Sequence, residues 1–398
     1  MKIGLLAPSI YMSPTRFGDM IFAPRDLAVW LADGLVERGH DVFFFTAPDV
    51  PTKATIVAGD MGLMEDMQED KLASAGGERM KWASFYTRKR NYELDLTQRA
   101  YAMADAGKLD IIHSYHDTLA HFFDELTGFP TVYTLHDPLP NPGTLPYWLL
   151  AKFAHHRYVS ISDAFRKQGN LLLHFVDTVY HGVPAVSDGV KETARRDYLA
   201  FMGRMVPEKG ISDAIAVGEQ TGIALHIATS DRGENTHSAF YEKDVAPRLS
   251  PGKSELVGFM DVNKKNSFLE RATAFLFPIH WEEPFGMVMI EAMACGTPVV
   301  AYNRGSVPEI VKDGVTGFIV DDDDKNTTNI TNKANTTNTT NKDGKWIIKK
   351  RGVEGLVEAV KRIGEIDRAA CRRHVEENFT VEKMVEGYEK VYQKVLGI

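Results

Sequence analysis

Short apolar, β-rich runs alternate with amphipathic helical segments along this chain, and the alternation begins again just before residue 200. Parallel neighbours need long crossover connections, so strands separated by helices predict parallel sheets covered by helices. The predicted strands are residues 3–7, 42–46, 111–113, 131–134, 158–161 and 178–180 in the first series, and 198–202, 225–228, 255–257, 274–277, 299–301 and 317–320 in the second. Two series predict two doubly wound α/β domains, each with its binding groups at the carboxyl ends of the strands.

The restart also predicts the domain boundaries. We expect a first domain over residues 1–184, a second over 185–378 and a terminal amphipathic helix within 379–398. If the carboxyl edges of the two sheets face each other, they enclose a deep cleft between the domains. A tract in which asparagine falls at every third position from Asn326 to Asn341 cannot bury apolar surface, which predicts a surface insertion over about residues 322–345.

The composition is that of an ordinary globular protein: of the 398 residues, 44% are hydrophobic and 25% are charged, enough to build large cores. A net charge of -8 argues against a protein devoted to nucleic acid. The two cysteines, Cys295 and Cys371, exclude a disulfide framework and a cysteine-only metal site. No run approaches the roughly 18 apolar residues of a membrane span, and the apolar run at the N-terminus is too short for a signal peptide. We therefore expect a cytoplasmic location, with the inner face of the membrane as an alternative.

The strongest chemical motif follows the strand predicted at 274–277. Pro284 keeps Glu283 extended, so that its carboxylate lies in a loop. A helix expected to begin near Phe285 or Gly286 offers free N–H groups and the positive end of a dipole, both of which suit a phosphate. More than a turn later, the carboxylate of Glu291 could accept two hydrogen bonds from a ribose diol. An ordinary strand–loop–helix with two solvated glutamates explains the local pattern equally well.

A second motif lies at the carboxyl end of the strand predicted at 198–202. Arg204 and Lys209 are five residues apart across a tight Gly/Pro loop, so both cations can converge on one point. Arginine holds phosphate oxygens in a fixed fork and lysine adds a point charge, which together suit a diphosphate leaving group. A basic pair on the surface is the alternative interpretation.

Three motifs in order resemble those of the retaining glycosyltransferases of family 4. They are Gly203-Arg204 with Lys209, the pair Glu283 and Glu291 with seven residues between them, and a Gly-Ser-Val-Pro-Glu run that begins at residue 305. The resemblance covers most of the chain and is weakest over residues 52–95. It implies the GT-B architecture, in which two Rossmann-like domains face each other across a cleft and the last helix crosses back onto the first domain.

The resemblance also implies roles for individual residues. Arg204 and Lys209 would bind the donor's diphosphate, and Glu291 the nucleotide ribose. Glu283 and His136 would contact the donor sugar, His136 near the reacting carbon, although packing at a strand end would also explain a histidine there. The positions expected to line the sugar and phosphate are Gly203, Phe285, Gly286, Met287 and Val288. On the acceptor side, only Gly18 carries over from the family's first loop, and His116 is a further candidate.

The function implied is transfer of a hexosyl group from a UDP-, GDP- or ADP-sugar to the hydroxyl of a sugar or lipid-linked acceptor, with retention of anomeric configuration. No metal or other cofactor is expected, because two cations take the place of an ion. A nucleotide-sugar epimerase or hydrolase of the same architecture and a non-enzymatic sugar-binding protein are the alternatives. Basic and aromatic residues alternate over 79–90, which suits either contact with an anionic membrane or a partly packed helix.

Overall fold

The computed structural model describes residues 1–18, 23–65, 78–115, 118–168, 171–186, 196–229, 238–258, 260, 262–323 and 346–398. These residues form two compact units, which are described separately below. Unit 1 comprises Met1–Ile161, Gln168–Tyr180 and Val381–Ile398, and unit 2 comprises Ser162–Lys167 and His181–Thr380.

Within the described part of unit 1, seven parallel strands form one sheet in the order β3-β2-β1-β4-β5-β6-β7. They are β1 (Lys2–Leu6), β2 (Asp41–Thr46), β3 (Thr55–Ala58), β4 (Ile111–Ser114), β5 (Thr131–Thr134), β6 (Arg157–Ser160) and β7 (Phe175–Thr178). Leu5 lies opposite Phe44 on one side and His113 on the other. The strand order therefore reverses between β1 and β4, which is where a doubly wound sheet opens a crevice for ligands.

The connections of this sheet are largely helical. The helices are α1 (Pro14–Phe17), α2 (Ala23–Glu37), α3 (Glu78–Asp105), α4 (Leu119–Thr127) and α5 (Leu145–Lys152), with 3-10 turns at Ile10–Met12 and Met61–Met64. In α3, Phe85 packs against the rings of Tyr11 and Phe17, with centroids 6.3 and 6.4 Å away, while Tyr86 is 55% exposed. This part of the basic and aromatic segment is thus partly packed, and its contact with a membrane stays a prediction.

Unit 2 begins with the short helix α6 (Asp163–Lys167), and its described residues include a sheet of six parallel strands in the order β10-β9-β8-β11-β12-β13. The strands are β8 (Tyr198–Met202), β9 (Ala224–Ala228), β10 (Ser254–Gly258), β11 (Ala272–Phe277), β12 (Val299–Tyr302) and β13 (Gly317–Val320). The order reverses between β8 and β11, where Leu199 lies opposite Ala274. Both sheets confirm the predicted doubly wound α/β folds.

Helices also cover the second sheet. They are α7 (Ile211–Thr221), α8 (Val262–Glu270), α9 (Met287–Ala294), α10 (Val307–Ile310), α11 (Gly352–Lys361) and α12 (Arg368–Asn378), with shorter helical turns at Pro207–Lys209, Tyr241–Val245, Ala246–Arg248 and Ile363–Glu365. Leu199, Phe275 and Val300, on three adjacent strands, are completely buried. Their near-continuous apolar sequence follows from burial on both faces of a parallel sheet.

The terminal helix α13 (Val381–Leu396) belongs to unit 1. Its predicted apolar face is buried there: Met384, Val385, Tyr388, Val391 and Tyr392 are at most 1% exposed. Val385 packs so closely on Gly34 of α2 that a Cβ added to that glycine would lie 2.5 Å from it. Packing of its amphipathic face against α2 therefore fixes α13 to unit 1.

Some sequence-based expectations need correction, and one concerns residues that the structure does not describe. The strand β3 was not predicted, and the strand expected at 178–180 ends at Thr178, because Phe175–Thr178 is the segment that pairs with β6. Two segments expected in the first domain, Ser162–Lys167 and residues 181–184, group with unit 2 instead. The Glu309 carboxylate accepts hydrogen bonds from the backbone N–H groups at the start of α6, which ties this helix to unit 2. The asparagine-rich tract lies outside the described residues.

A separate property concerns membranes. Of the helices in the described ranges, none is both long enough and apolar enough to cross a bilayer.

Candidate functional site

The loop after β8 is held against the end of β11 in unit 2. Gly210 ends the 3-10 turn Pro207–Lys209 with a φ of +72°, and a Cβ there would lie 1.7 Å from the carbonyl oxygen of Pro278. Glycine is therefore required for this approach. The N–H of His280 also donates to the carbonyl oxygen of Glu208 at 2.9 Å. The loop that carries Arg204 and Lys209 is thus fixed beside the residues that follow β11.

This approach creates a charged cluster around Trp281. The Lys209 Nζ lies 2.9 Å from Oε2 of Glu283, and the Trp281 indole N–H donates to the same oxygen at 2.8 Å. The Lys209 ammonium lies 4.4 Å from the centre of the Trp281 ring, and the exposed Arg204 guanidinium lies 5.7 Å from it. Both predicted phosphate-binding cations therefore lie beside one aromatic ring, and the side chains of Trp281, Lys209 and Arg204 together form the Trp281 platform. Glu283 is ion-paired rather than solvated.

The backbone of the Glu283 loop is fixed by serines. Ser306 donates its N–H to the Glu283 carbonyl at 3.0 Å and its hydroxyl to the Phe285 carbonyl at 2.6 Å. The Ser162 hydroxyl donates to the Pro284 carbonyl between them, also at 2.6 Å. Three consecutive carbonyl groups are satisfied in this way, so the loop is pre-organised before any ligand arrives.

Gly305, next to Ser306, explains why this loop can lie so close. Its φ is +53°, and a Cβ there would lie 2.3 Å from the carbonyl oxygen and 2.4 Å from the nitrogen of Glu283. No other residue type fits such a contact without displacing the Glu283 backbone. The Gly-Ser-Val-Pro-Glu run that carried part of the resemblance therefore acts as the support of Glu283.

The helix after this loop begins at Met287 with Gly286 as its N-cap, one residue later than the latest start predicted from the sequence. Met287 and Val288 are half-buried, whereas the Phe285 side chain is 2% exposed and packs against His181, so only its backbone can line a ligand. Further along α9, the Glu291 carboxylate pairs with the Lys265 Nζ at 2.7 Å. Neither glutamate is the freely solvated residue of the alternative interpretation.

In unit 1, a cavity of about 350 Å³ lies at the carboxyl ends of β1, β4 and β5. His136 follows β5 and lines this cavity together with Tyr115, whose ring meets the imidazole edge-on with centroids 4.6 Å apart. Met12, Pro138 and Leu150 contribute apolar walls. Burial lowers the pKa of His136 to about 4, so the imidazole facing this cavity is neutral near pH 7.

A hydrogen-bonded network connects the neighbouring strand ends to α13. His113 lies 2.7 Å from the Tyr392 hydroxyl through Nδ1 and 2.9 Å from the Thr134 hydroxyl through Nε2. The Thr134 hydroxyl also lies 3.1 Å from that of Tyr388. Burial, with a smaller contribution from the charge of His136, lowers the pKa of His113 to about 3. The terminal helix therefore helps to position the strand end that precedes His136.

Acidification should destabilise this arrangement. Both imidazoles are neutral when folded but have an ordinary pKa near 6.5 when unfolded, so the unfolded state binds more protons below that pH. The free energy of unfolding should fall as the pH drops from 6.5 towards 4, by roughly 1 kcal/mol per pH unit for each histidine. Urea unfolding at a series of pH values measures this slope. It should become shallower in His136→Gln, and a slope in that variant equal to that of the wild type would contradict the assignment.

The remaining predicted positions are less informative. Gly203 directly follows β8 and is half-buried beside Lys209. Gly18 is the C-cap of α1, and His116 lies outside the described residues. Trp281 and Lys265 were not anticipated from the sequence. Trp281 has a signal in the sequence, because it is an aromatic residue directly before the acidic pair that precedes Pro284. Lys265 has no such signal, because only the packing of α8 on α9 brings it to Glu291.

Two family models match the chain. The model described as Glycosyltransferase Family 4 matches residues 28–198, and the model described as Glycosyl transferases group 1 matches residues 187–336. Among solved structures, HepE from Anabaena in complex with UDP and glucose superposes with a TM-score of 0.65 at 16% identity, covering 99% of this chain and 100% of that one. The two sheets define a GT-B fold. The chain belongs to the family 4 glycosyltransferases.

Curated relatives match over shorter stretches. The glycogen synthase of Mycobacterium tuberculosis is 36% identical over 124 residues, which are 30% of this chain and 29% of that protein. The D-inositol 3-phosphate glycosyltransferase of Mycolicibacterium smegmatis is 32% identical over 164 residues, or 37% of each protein. The chain thus spans about a third of the length of these curated relatives.

Proposed function

We propose that this protein is a retaining glycosyltransferase that moves a hexosyl group from a nucleotide-diphosphate sugar to an acceptor hydroxyl. The observation that carries the proposal is the Trp281 platform, where Lys209 and Arg204 lie beside an ion-paired Glu283 at the carboxyl ends of β8 and β11. Two cations there can neutralise the charge that builds on a departing diphosphate. Membership in family 4 supports the same reaction class.

Each residue has a proposed part. Arg204 and Lys209 bind the diphosphate, helped by the backbone N–H groups in the first turn of α9. The phosphate and sugar are lined by Gly203, Gly286, Met287 and Val288. Glu283 binds hydroxyl groups of the donor sugar. Glu291, oriented by Lys265, accepts hydrogen bonds from the ribose diol. His136, a neutral imidazole, contacts the transferred sugar near its reacting carbon, and this role rests on the family resemblance.

The proposed chemistry balances without a protein nucleophile. The bond between the anomeric carbon and the diphosphate oxygen breaks, and the acceptor oxygen bonds to the same face of that carbon. The acceptor's proton passes to an oxygen of the leaving diphosphate. The protein's residues position the two substrates and stabilise the charge on the leaving group, so no metal or other cofactor is proposed to take part.

The donor is proposed to be a nucleotide sugar, with UDP-sugars as the first candidates. This preference rests on HepE, a fold neighbour that was solved with UDP and glucose. GDP- and ADP-sugars are also candidate donors, because the residues with proposed roles contact phosphate, ribose and sugar rather than the base. The acceptor is proposed to be a carbohydrate or a lipid-linked glycan.

The test is incubation of each donor with candidate acceptors, followed by analysis of the products. We expect release of nucleoside diphosphate that depends on an acceptor, a product with the donor's anomeric configuration by NMR, and rates unchanged by EDTA. Release of an epimer or of free sugar without an acceptor would instead indicate the epimerase or hydrolase. A thermal shift with donor and no turnover would indicate a binding protein, and loss of turnover in EDTA would contradict the metal-free reaction.

A further inference from the structure

A cluster of metal-ligand side chains lies in unit 1, apart from the groups discussed above. Glu125 is in the last turns of α4, and His155 and His156 directly precede β6. Nε2 of each histidine lies 3.1 Å from the same carboxylate oxygen, Oε2 of Glu125. One ligand atom from each of the three residues lies within 4.8 Å of the other two. Two imidazoles and a carboxylate thus converge on one point.

The orientation of His156 is fixed from behind. Its side chain is 6% exposed, and its Nδ1 lies 2.9 Å from Nδ1 of His121 and 3.4 Å from Oδ2 of Asp124. The buried Asp124 carboxylate in turn accepts a hydrogen bond from the Tyr133 hydroxyl at 3.0 Å. A histidine that binds a metal through one nitrogen usually holds a carboxylate or similar group with the other. The groups behind His156 form such a support and leave Nε2 aimed at Glu125.

The spacing suits a small tetrahedral ion. Zinc binds imidazole nitrogen and carboxylate oxygen at about 2.0–2.2 Å, which places tetrahedral ligand atoms roughly 3.3–3.5 Å from one another. The observed 3.1 Å separations need only a slight expansion to reach that value. Two histidines and a glutamate are also a ligand set that zinc accepts with one further position open to water. His155 and Glu125 are exposed, so an ion can enter from solvent.

We propose that Glu125, His155 and His156 bind Zn²⁺ or a similar divalent transition-metal ion, with water completing the coordination. The ion links the end of α4 to the segment that leads into β6. This site is at the amino ends of β5 and β6, whereas His136 follows the carboxyl end of β5, roughly 13 Å away along a four-residue strand. Its role is therefore to stabilise unit 1 rather than to take part in turnover, and it does not depend on the proposed function.

The test uses the full chain without a polyhistidine tag. Competition with a chromophoric chelator measures Zn²⁺ affinity and stoichiometry, and Co²⁺ reports coordination through its visible absorption. We expect one equivalent of Zn²⁺, a four-coordinate Co²⁺ spectrum and a rise in Tm with Zn²⁺. His155→Gln and Glu125→Gln should each lower the affinity at least 10-fold and abolish that rise. Both side chains are exposed, so the folded state should survive the substitutions.

His174→Gln is the matched control. His174 is an exposed histidine beside the cluster, whose Nδ1 lies 3.3 Å from the backbone oxygen of His155, but its ring is not one of the three ligands. We expect wild-type Zn²⁺ affinity in this variant. Failure of the wild-type chain to bind Zn²⁺, unchanged affinity in His155→Gln, or an equal loss in His174→Gln would overturn the site.

Discussion

Replacing Lys209 with alanine should lower kcat for sugar transfer about 10²–10³-fold, which corresponds to about 2.7–4 kcal/mol of transition-state stabilisation. The Lys209 ammonium is held 2.9 Å from Oε2 of Glu283 and 4.4 Å from the centre of the Trp281 ring. In the proposed reaction it meets the negative charge that appears on the diphosphate only as the bond to the sugar breaks. The change should therefore affect kcat more strongly than KM for the donor. Steady-state kinetics with the best donor measures it.

Two further variants separate charge from packing. Lys209→Met keeps an unbranched side chain of similar length but carries no charge, and it should lose as much activity as Lys209→Ala. Arg248→Ala is the matched control, because it removes an ion pair with Glu219 elsewhere in unit 2 and should leave kcat unchanged. Near-wild-type turnover by a folded Lys209→Met protein would remove the electrostatic role assigned to this residue.

Gly305→Ala should reduce both stability and activity, because its Cβ would lie 2.3 Å from the carbonyl oxygen and 2.4 Å from the nitrogen of Glu283. Real Cβ atoms do not approach backbone so closely, so the Glu283 loop must move. Displacement of a positioned group by about 1 Å can cost about 10² in rate. We expect a loss of kcat of that order and a lower free energy of unfolding, measured by kinetics and by urea denaturation.

Gly252→Ala controls for the backbone conformation alone. Gly252 is also in unit 2 with a positive φ, +74°, but a Cβ there meets nothing within 4 Å. It should lose only the roughly 1–2 kcal/mol that an L-residue pays in the left-handed region and should keep its kcat. If Gly305→Ala matches Gly252→Ala in both measurements, the close contact does not support Glu283.

Much of the fold could be predicted from the sequence. Buried parallel strands such as Thr131–Thr134, Tyr198–Met202 and Gly317–Val320 are short apolar runs between helical segments, and the structure confirms all three with the predicted ends. By contrast, Thr55–Ala58 was missed because it is a partly exposed edge strand without a strong apolar pattern. The prediction for Phe175–Thr178 begins three residues and ends two residues too late, because the position of this strand depends on its pairing with β6.

The candidate site divides in a similar way. Arg204 and Lys209 were paired from loop geometry, and the structure places both beside the ring of Trp281. The ion pairs of Glu283 with Lys209 and of Glu291 with Lys265 could not be predicted from the sequence, because the partners are 74 and 26 residues apart. Their catalytic and binding roles stay proposals.

The sequence alone determined which local elements form, because apolar periodicity, glycine and proline act over a few residues. It also carried the motifs from which the family could be inferred. The tertiary structure decided which distant groups meet: Glu125 with His155 and His156, the Glu283 backbone with Gly305 and Ser306, and His113 with Tyr392. The physical reason is that such contacts depend on how helices and strands pack, and packing is set by many residues together rather than by the spacing of any few.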